Sequence, residues 1–200
     1  SDFVRFNRNR IRQAGAVTQH TLSLELIEGQ RHLRSTLRLT EDSGENLSRA
    51  LAELETLRRE LPDVPGDPYL SYATEPHASE KARPNRLPNP SDAIDAALAA
   101  GEGRDMVGIY AQGAIKTGFA NSLGQRNWFS THTFHLDWCF YHAADKAVKA
   151  SYAGFEWDHA RFRRIVDQAG EHLRLLARRP RTIDPGEYRV YLAPAAMNEL

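Results

Sequence analysis

The sequence predicts an α+β fold, with mostly antiparallel or mixed sheets covered by amphipathic helices. Twice along the chain, segments with the two-residue alternation of strands are followed by a segment with the period of a helix. Seven of the ten prolines lie between these two passes, in residues 62–90. We therefore expect two subdomain-like halves within the 200 residues, a length that suits one domain or two small ones.

The first half begins with strand patterns. Phe3–Phe6 is a short candidate strand, and polar and leucine side chains alternate from Val17 to Leu26. The alternation restarts over Leu33–Leu39, after a turn at Gly29-Gln30. Two antiparallel strands joined by a short loop are the simplest fit to this pattern.

A helix pattern follows these strands. Leucines recur at helical spacing from Leu47 to Leu61, and Pro62 ends the pattern. We expect this amphipathic helix to cover the sheet. The proline-rich residues 62–90 then form a long connection between two predicted sub-lobes, 1–61 and 91–192.

The second half opens with a short helix. Ser91-Asp92 is predicted to cap an alanine-rich helix over Ala93–Ala100, which Gly101 and Gly103 end. A meandering antiparallel sheet is expected next. Its four strand patterns are Val107–Ala111, Ile115–Ala120, Trp128–His142 and Lys146–Tyr152.

The remaining residues predict a second helix and a further strand. Apolar residues spaced three or four apart indicate an amphipathic helix from the Asp158 cap to about Arg178. A turn at 184–186 and a strand at Tyr188–Leu192 follow, and the last residues resemble the first turn of another helix. We therefore expect residues 1–192 to be one domain and residues 193–200 to begin a truncated C-terminal domain.

Composition and charge argue against some classes of function. With 26 basic and 26 acidic side chains the formal net charge is zero, which argues against direct nucleic-acid binding. No apolar stretch approaches the ~20 residues that a membrane helix needs, and the chain opens with no leader pattern. The single cysteine, Cys139, fits a reducing compartment. We expect a cytoplasmic protein. Two local arginine clusters are exceptions to the charge balance. The second lies on a predicted helix with acidic residues between the arginines, which is typical of a solvated face. The first consists of Arg5, Arg8, Arg10 and Arg12, and the second of Arg161, Arg163, Arg164, Arg174, Arg178, Arg179 and Arg181.

The residues themselves predict no catalytic and no metal site. His132 and His135 are three apart in a strand pattern, so they face opposite sides of the sheet. His135, Asp137 and Cys139 share one face and are types that can bind a metal, but a polar sheet face explains them better. The glycines around Ser122 lack the spacing of a nucleophile elbow.

Three segments together resemble the TldD/PmbA family. Residues 105–124, with their Gly-Phe-Ala-Asn-Ser-Leu-Gly stretch, and the aromatic strand Phe134–Tyr141 look like the central part of that family's N-terminal domain. Residues 185–196, which begin Pro-Gly-Glu-Tyr, resemble its junction into a second domain. The order and spacing of the segments agree as well, so the resemblance covers most of the chain.

The resemblance implies the N-terminal domain of a cytosolic peptide-maturing metalloprotease, in a family also labelled as modulators of DNA gyrase. Family members associate as homo- or hetero-dimers. Their zinc is held by a His-Glu-x-x-x-His helix and a later cysteine, all of which would lie downstream of Leu200. This chain is then expected to be inactive alone, with no cofactor of its own. The alternative is a non-catalytic partner or scaffold subunit from the family's metal-free branch, and a stand-alone binding module is a third possibility.

The resemblance also implies that the N-terminal domain helps to bind an unfolded peptide. The candidate peptide-binding residues are Phe119, Asn121 and Ser122, because an exposed strand edge can pair with an extended substrate. In the alternative interpretation, Asn121 and Gly124 merely stabilise a tight turn. The charge balance makes a direct contact with DNA the weaker explanation of the gyrase label.

Overall fold

The computed structural model describes residues 1–143 and 146–197, and it confirms the α+β class. Two sheets are formed by the strands β1 (Asp2–Asn7), β2 (Arg10–Ala16), β3 (Thr21–Glu28), β4 (Arg31–Arg38), β5 (Ser79–Ala82), β6 (Asp105–Ala120), β7 (Arg126–Ala143) and β8 (Lys146–Gly154). The helices are α1 (Ser43–Glu60), α2 (Pro90–Ala100), α3 (His159–Leu176) and the single turn α4 (Pro194–Met197). None of the described helices is both long and apolar enough to cross a membrane.

The larger sheet is mixed. Its strand order is β2-β1-β6-β7-β5, and β8 also pairs with β7. β6, β7 and β8 form the predicted antiparallel meander, whereas β5 runs parallel to β7. Because β6 occupies one edge of β7 over its length, β5 and β8 share the other edge, β5 beside Asn127–Ser130 and β8 from Phe134 onward.

Helices α2 and α3 cover one face of this sheet and form the core with it. Strand side chains alternate between faces, so every second residue of β6, β7 and β8 points toward the helices. The resulting buried cluster includes Phe6, Met106, Tyr110, Phe134, Leu136, Trp138, Phe140, Tyr152, Phe162 and Val166. On the opposite face, residues such as Val107 and Ile109 are only half-buried.

A smaller unit consists of the β3–β4 hairpin and α1. The strands pair antiparallel across the predicted turn, where Gly29 has a φ of 60°. Leu57 and Leu61 are buried against the half-buried leucines of the hairpin. At the start of α1, a carboxylate oxygen of Asp42 accepts hydrogen bonds from the N–H groups of Gly44 and Glu45. The predicted helix over a hairpin is therefore confirmed.

Two strands were not predicted from the sequence, and one predicted strand begins later. The predicted strand Val17–Leu26 starts only at Thr21, and the residues before it form β2 and a link. All of β2 is exposed at the sheet edge, so it lacks the apolar alternation that marks a half-buried strand. β5 is also exposed and lies within the predicted proline-rich connection.

The start of α2 and the length of β6 also differ from the prediction. The capping residue is Asn89 rather than Ser91-Asp92: its side-chain oxygen accepts from the N–H of Ser91, and Pro90 occupies the first helical turn. The two strands predicted at Val107–Ala111 and Ile115–Ala120 are one continuous strand. The sequence pattern suggested two strands because residues 112–114, Gln-Gly-Ala, interrupt the apolar alternation.

The predicted strand at Tyr188–Leu192 is wrong. These residues have no strand conformation and are exposed, because no described strand lies beside them to supply hydrogen-bonding partners. Part of the helix predicted near the end is seen at Pro194–Met197, and residues 198–200 lie outside the described residues.

The domain limits 1–192 and 193–200 stay a prediction. β1 pairs with β6, which places a strand of the predicted sub-lobe 1–61 in the sheet of the second.

Candidate functional site

The outer part of the β6–β7 hairpin extends beyond the helices that cover the sheet. We term residues 113–133 the arm; its strands remain paired from Gly113 opposite Thr133 to Ala120 opposite Arg126. In β6, every residue from Ala114 to Ala120 is exposed, although Met106 and Tyr110 of the same strand are buried. The β6 strand of the arm is therefore exposed to solvent on both faces, whereas on β7 Thr131 is buried.

The turn at the end of the arm is organised by Asn121. Its side-chain oxygen accepts hydrogen bonds from the N–H groups of Leu123, at 3.1 Å, and Gln125, at 3.0 Å. Its carbonyl oxygen accepts from the N–H of Gly124, whose φ of 93° favours glycine. The Asn121 side chain is thus used within the turn, as the alternative interpretation expected, while Ser122 is exposed at the tip. Peptide binding by these residues stays a prediction.

Replacing Asn121 with alanine is expected to lower the free energy of unfolding by about 1 kcal/mol, since two hydrogen bonds within an exposed turn are lost. Asn121→Asp keeps the accepting oxygen and should stay close to wild type. Urea unfolding followed by tryptophan fluorescence measures both. If Asn121→Ala weakened peptide binding with unchanged stability, Asn121 would instead contact the peptide directly.

Large apolar side chains lie exposed along the arm. Ile115 is 48%, Phe119 53% and Trp128 44% exposed. Because of the strand alternation, Ile115 and Phe119 share one face with Thr117, whereas Lys116, Gly118 and Trp128 lie on the other. The Trp128 ring lies over Gly118, where a Cβ would be 3.3 Å from the nearest ring atom. Apolar surface of this kind on a protruding hairpin is typical of a binding element.

The outer edge of β6 continues past the segment that pairs with β1. β1 pairs with this edge only from Gly108 to Gln112, and no strand of the described residues pairs with residues 113–120 there. On the far side of the arm, β5 pairs with β7, and the Asn127 amide donates to the His77 carbonyl oxygen and to Ser79 Oγ. An extended chain could therefore add to the arm along β6 through backbone hydrogen bonds.

His135, Asp137 and Cys139 lie on one face of β7, as the alternation of side chains along a strand predicts. His135 Nε2 is 3.5 Å from Asp137 Oδ1, and Cys139 is half-buried on the same face. Among residues 1–143 and 146–197, no three His, Cys, Asp or Glu side chains are grouped as metal ligands. His132 lies on the opposite face, and its Nδ1 is buried without a hydrogen-bond partner within the described residues.

Sequence reasoning missed a cleft between the helix starts. It has a volume of about 290 Å³ and is lined by Arg86, Asn89, Asp92, Glu156, Trp157 and His159. Arg86 Nη1 lies 3.4 Å from Glu156 Oε2, an exposed ion pair across the cleft. These residues come from two distant segments, so no local spacing in the sequence brings them together.

A buried hydrogen bond lies at the base of the arm. The Tyr110 hydroxyl donates to Gln112 Oε1 at 2.6 Å, and both side chains are buried. Burial raises the pKa of Tyr110 to about 12. The native state therefore holds this proton more tightly than the unfolded state, in which the group titrates near its ordinary value of 10.0.

This pKa predicts a loss of stability at alkaline pH. The contribution of the neutral phenol is complete below about pH 10 and is lost progressively as the pH rises toward 12. Tyr110→Phe removes the titration and should flatten this part of the pH profile, measured as urea midpoints between pH 8 and pH 12. Tyr69→Phe, at an exposed position, should leave the profile unchanged. An identical alkaline slope in Tyr110→Phe would contradict the assignment.

Two solved structures share this fold. TldE from Thermococcus kodakarensis matches with a TM-score of 0.58 and 13% identity, and a Thermotoga maritima protein described as a "putative modulator of a DNA gyrase" matches with 0.52 and 12%. Each match covers 86% of this chain and 41% of the other. No family model and no curated protein sequence matches the chain. The structural likeness confirms the TldD/PmbA-like fold, and the chain spans about two fifths of the length of these proteins.

Proposed function

We propose that this chain is the N-terminal, peptide-binding part of a two-domain peptidase of the TldD/PmbA type. The observation that carries the proposal is the arm, whose strands and exposed apolar side chains suit the binding of an extended polypeptide. The shared fold supports the family, and the 41% coverage of each solved structure leaves room for a further domain. In this proposal, zinc and peptide hydrolysis belong to that downstream domain.

The peptide is proposed to bind as an added strand along residues 113–120. Main-chain N–H and C=O groups on an open edge pair with any extended backbone, so they suit an unfolded substrate. Phe119 lies within this edge, and Asn121 and Ser122 lie in the turn at its end, where we expect the bound peptide to stop.

Backbone methylation of the peptide tests strand addition directly. Methyl groups on alternate peptide nitrogens remove the donors that face one edge and leave all side chains in place. One methylation register should weaken binding by at least about tenfold, because two or three hydrogen bonds are lost, whereas the other register should bind like the parent peptide. Fluorescence anisotropy measures both affinities.

Hydrogen exchange locates the binding edge. The amides of residues 113–120 should gain protection when the parent peptide binds, whereas those of the opposite arm edge, already paired with β5, should not. Equal affinity of both methylated peptides would argue against strand addition, and protection elsewhere would move the site away from the arm.

Dimerisation with a second family member is also proposed. The exposed side chains of Leu47 and Leu51, one turn apart on α1, support an apolar contact surface on the smaller unit. The alternative function is a non-catalytic partner subunit that binds peptide without cleaving it. Zinc content and peptide cleavage by the full-length protein distinguish the two: bound zinc with cleavage supports the peptidase, and neither supports the partner subunit.

A further inference from the structure

His32 lies between two carboxylates that belong to different parts of the chain. Its Nδ1 atom is 3.3 Å from Glu25 Oε1 on the neighbouring strand β3, and its Nε2 atom is 3.6 Å from Asp67 Oδ2 in the proline-rich connection. We propose that His32 is a pH-sensitive clamp, which fastens the start of the connection to the β3–β4 hairpin when its imidazole is protonated and releases it when the imidazole is neutral. The clamp is independent of the peptide-binding function proposed above.

The two carboxylates match a protonated ring better than a neutral one. A neutral imidazole has one N–H group, so it donates to only one of two acceptors, and its other ring nitrogen presents a lone pair to the second carboxylate. Protonated His32 has an N–H group on each ring nitrogen, one facing Glu25 and the other facing Asp67. Because histidine changes its charge between pH 5 and pH 8, the arrangement switches near neutral pH.

The contact with Asp67 depends more on the charge of His32 than the contact with Glu25 does. Glu25 has a permanent cation beside it, because Arg34 Nη2 is 3.8 Å from Glu25 Oε2. Asp67 forms no other ion pair among the described residues. α1 packs against the leucines of the hairpin, on the other face of β4 from His32. The remaining charged residues on the segments around His32 form no described ion pair with it: Glu28, Arg31 and Asp63.

Asp67 holds the start of the connection in place through its backbone and its side chain. Its N–H group donates to the Gln30 carbonyl oxygen at 2.7 Å, and its Oδ1 atom accepts from the N–H group of Tyr69 at 2.8 Å. Its other carboxylate oxygen, Oδ2, is the atom nearest His32. The connection continues to β5, which pairs with β7 of the arm. Opening of the clamp therefore loosens the segment that leads from the smaller unit to the arm.

Amide hydrogen exchange at two pH values tests the clamp. At each pH, the protection factor of the Asp67 amide in the wild type is divided by that in His32→Gln, whose side chain cannot be protonated. The ratio should be about threefold to fivefold at pH 5.5, since two exposed charge pairs are present there. It should fall close to one as the pH rises to 7.5 and the imidazole loses its proton. The Tyr69 amide should show the same change.

Two further variants separate the clamp from a general effect of pH. Asp67→Asn keeps the oxygen that accepts from Tyr69 but carries no charge, so in this background the ratio at pH 5.5 should fall below about twofold. His20→Gln is the matched control, because His20 is exposed just before β3 and forms no ion pair within the described part of the chain. It should leave the Asp67 amide as in the wild type. The same ratio at both pH values, or an unchanged ratio in the Asp67→Asn background, would overturn the clamp.

Discussion

Gly108→Ala is expected to destabilise the chain by about 3 kcal/mol or more, the upper range for forcing extra atoms into a packed interior. Gly108 lies in β6 between Phe6 of β1 and Trp138 of β7. A Cβ there would be 2.5 Å from the Asp137 carbonyl oxygen and 3.2 Å from the Trp138 Cα. Both atoms belong to the backbone of the paired strand, so no side-chain rotation can relieve the contact.

Urea unfolding at neutral pH measures this effect. Gly66→Ala is the matched control, because its nearest atoms would be 3.6 Å away and belong to the Gln30 side chain. We expect the control to remain within about 0.5 kcal/mol of wild type, as surface substitutions usually do. A Gly108→Ala chain with wild-type stability would show that β6 and β7 are farther apart than described.

Truncation of Phe140 should produce the other large loss, about 3–5 kcal/mol for Phe140→Ala. Its side chain is completely buried, at 0% exposure. The ring packs edge-on against Trp138 with centroids 6.2 Å apart, and the Arg104 guanidinium lies over it at 4.9 Å. The alanine variant therefore loses apolar burial and leaves a cavity between the sheet and the helices.

Phe119→Ala separates stability from binding. The same residue type is removed there from a side chain that is mostly exposed on the arm, so thermal unfolding should hardly change. Peptide affinity should fall, because Phe119 lines the proposed edge. If Phe140→Ala proved no less stable than Phe119→Ala, Phe140 could not occupy the core.

Elements with a strong apolar period were predicted well, because burial on one face leaves a local signature. The β3–β4 hairpin, α3 and the meander of β6 to β8 are of this kind, whereas α1 has the helical period but leaves Leu47 and Leu51 exposed. β2 and β5 were missed because they are exposed edge strands, whose conformation depends on a partner far away in the sequence. Tyr188–Leu192 shows the reverse case, in which strand-forming residues lack any described partner.

The candidate site was predicted only in part for the same reason. Asn121 and Gly124 indicated the turn from the sequence. The structure adds that the Asn121 side chain accepts the hydrogen bonds that stabilise it. Once that turn is fixed, counting back along both strands would have placed Trp128 opposite Gly118. The pairing of β1 with Gly108–Gln112 could not have been predicted, because it joins segments about a hundred residues apart in the sequence.

The position of β1 has a consequence for biosynthesis. β1 is made early but needs β6, about a hundred residues later, to complete its pairing. Alone, the β1–β2 hairpin would be marginal, as isolated two-stranded hairpins are in water. The smaller unit, by contrast, joins neighbouring segments and can assemble while the ribosome is still translating the proline-rich connection. The edge of β1 that faces β6 must therefore stay free of aggregation until residues 108–112 emerge, a task for which the arginines of this hairpin are well suited.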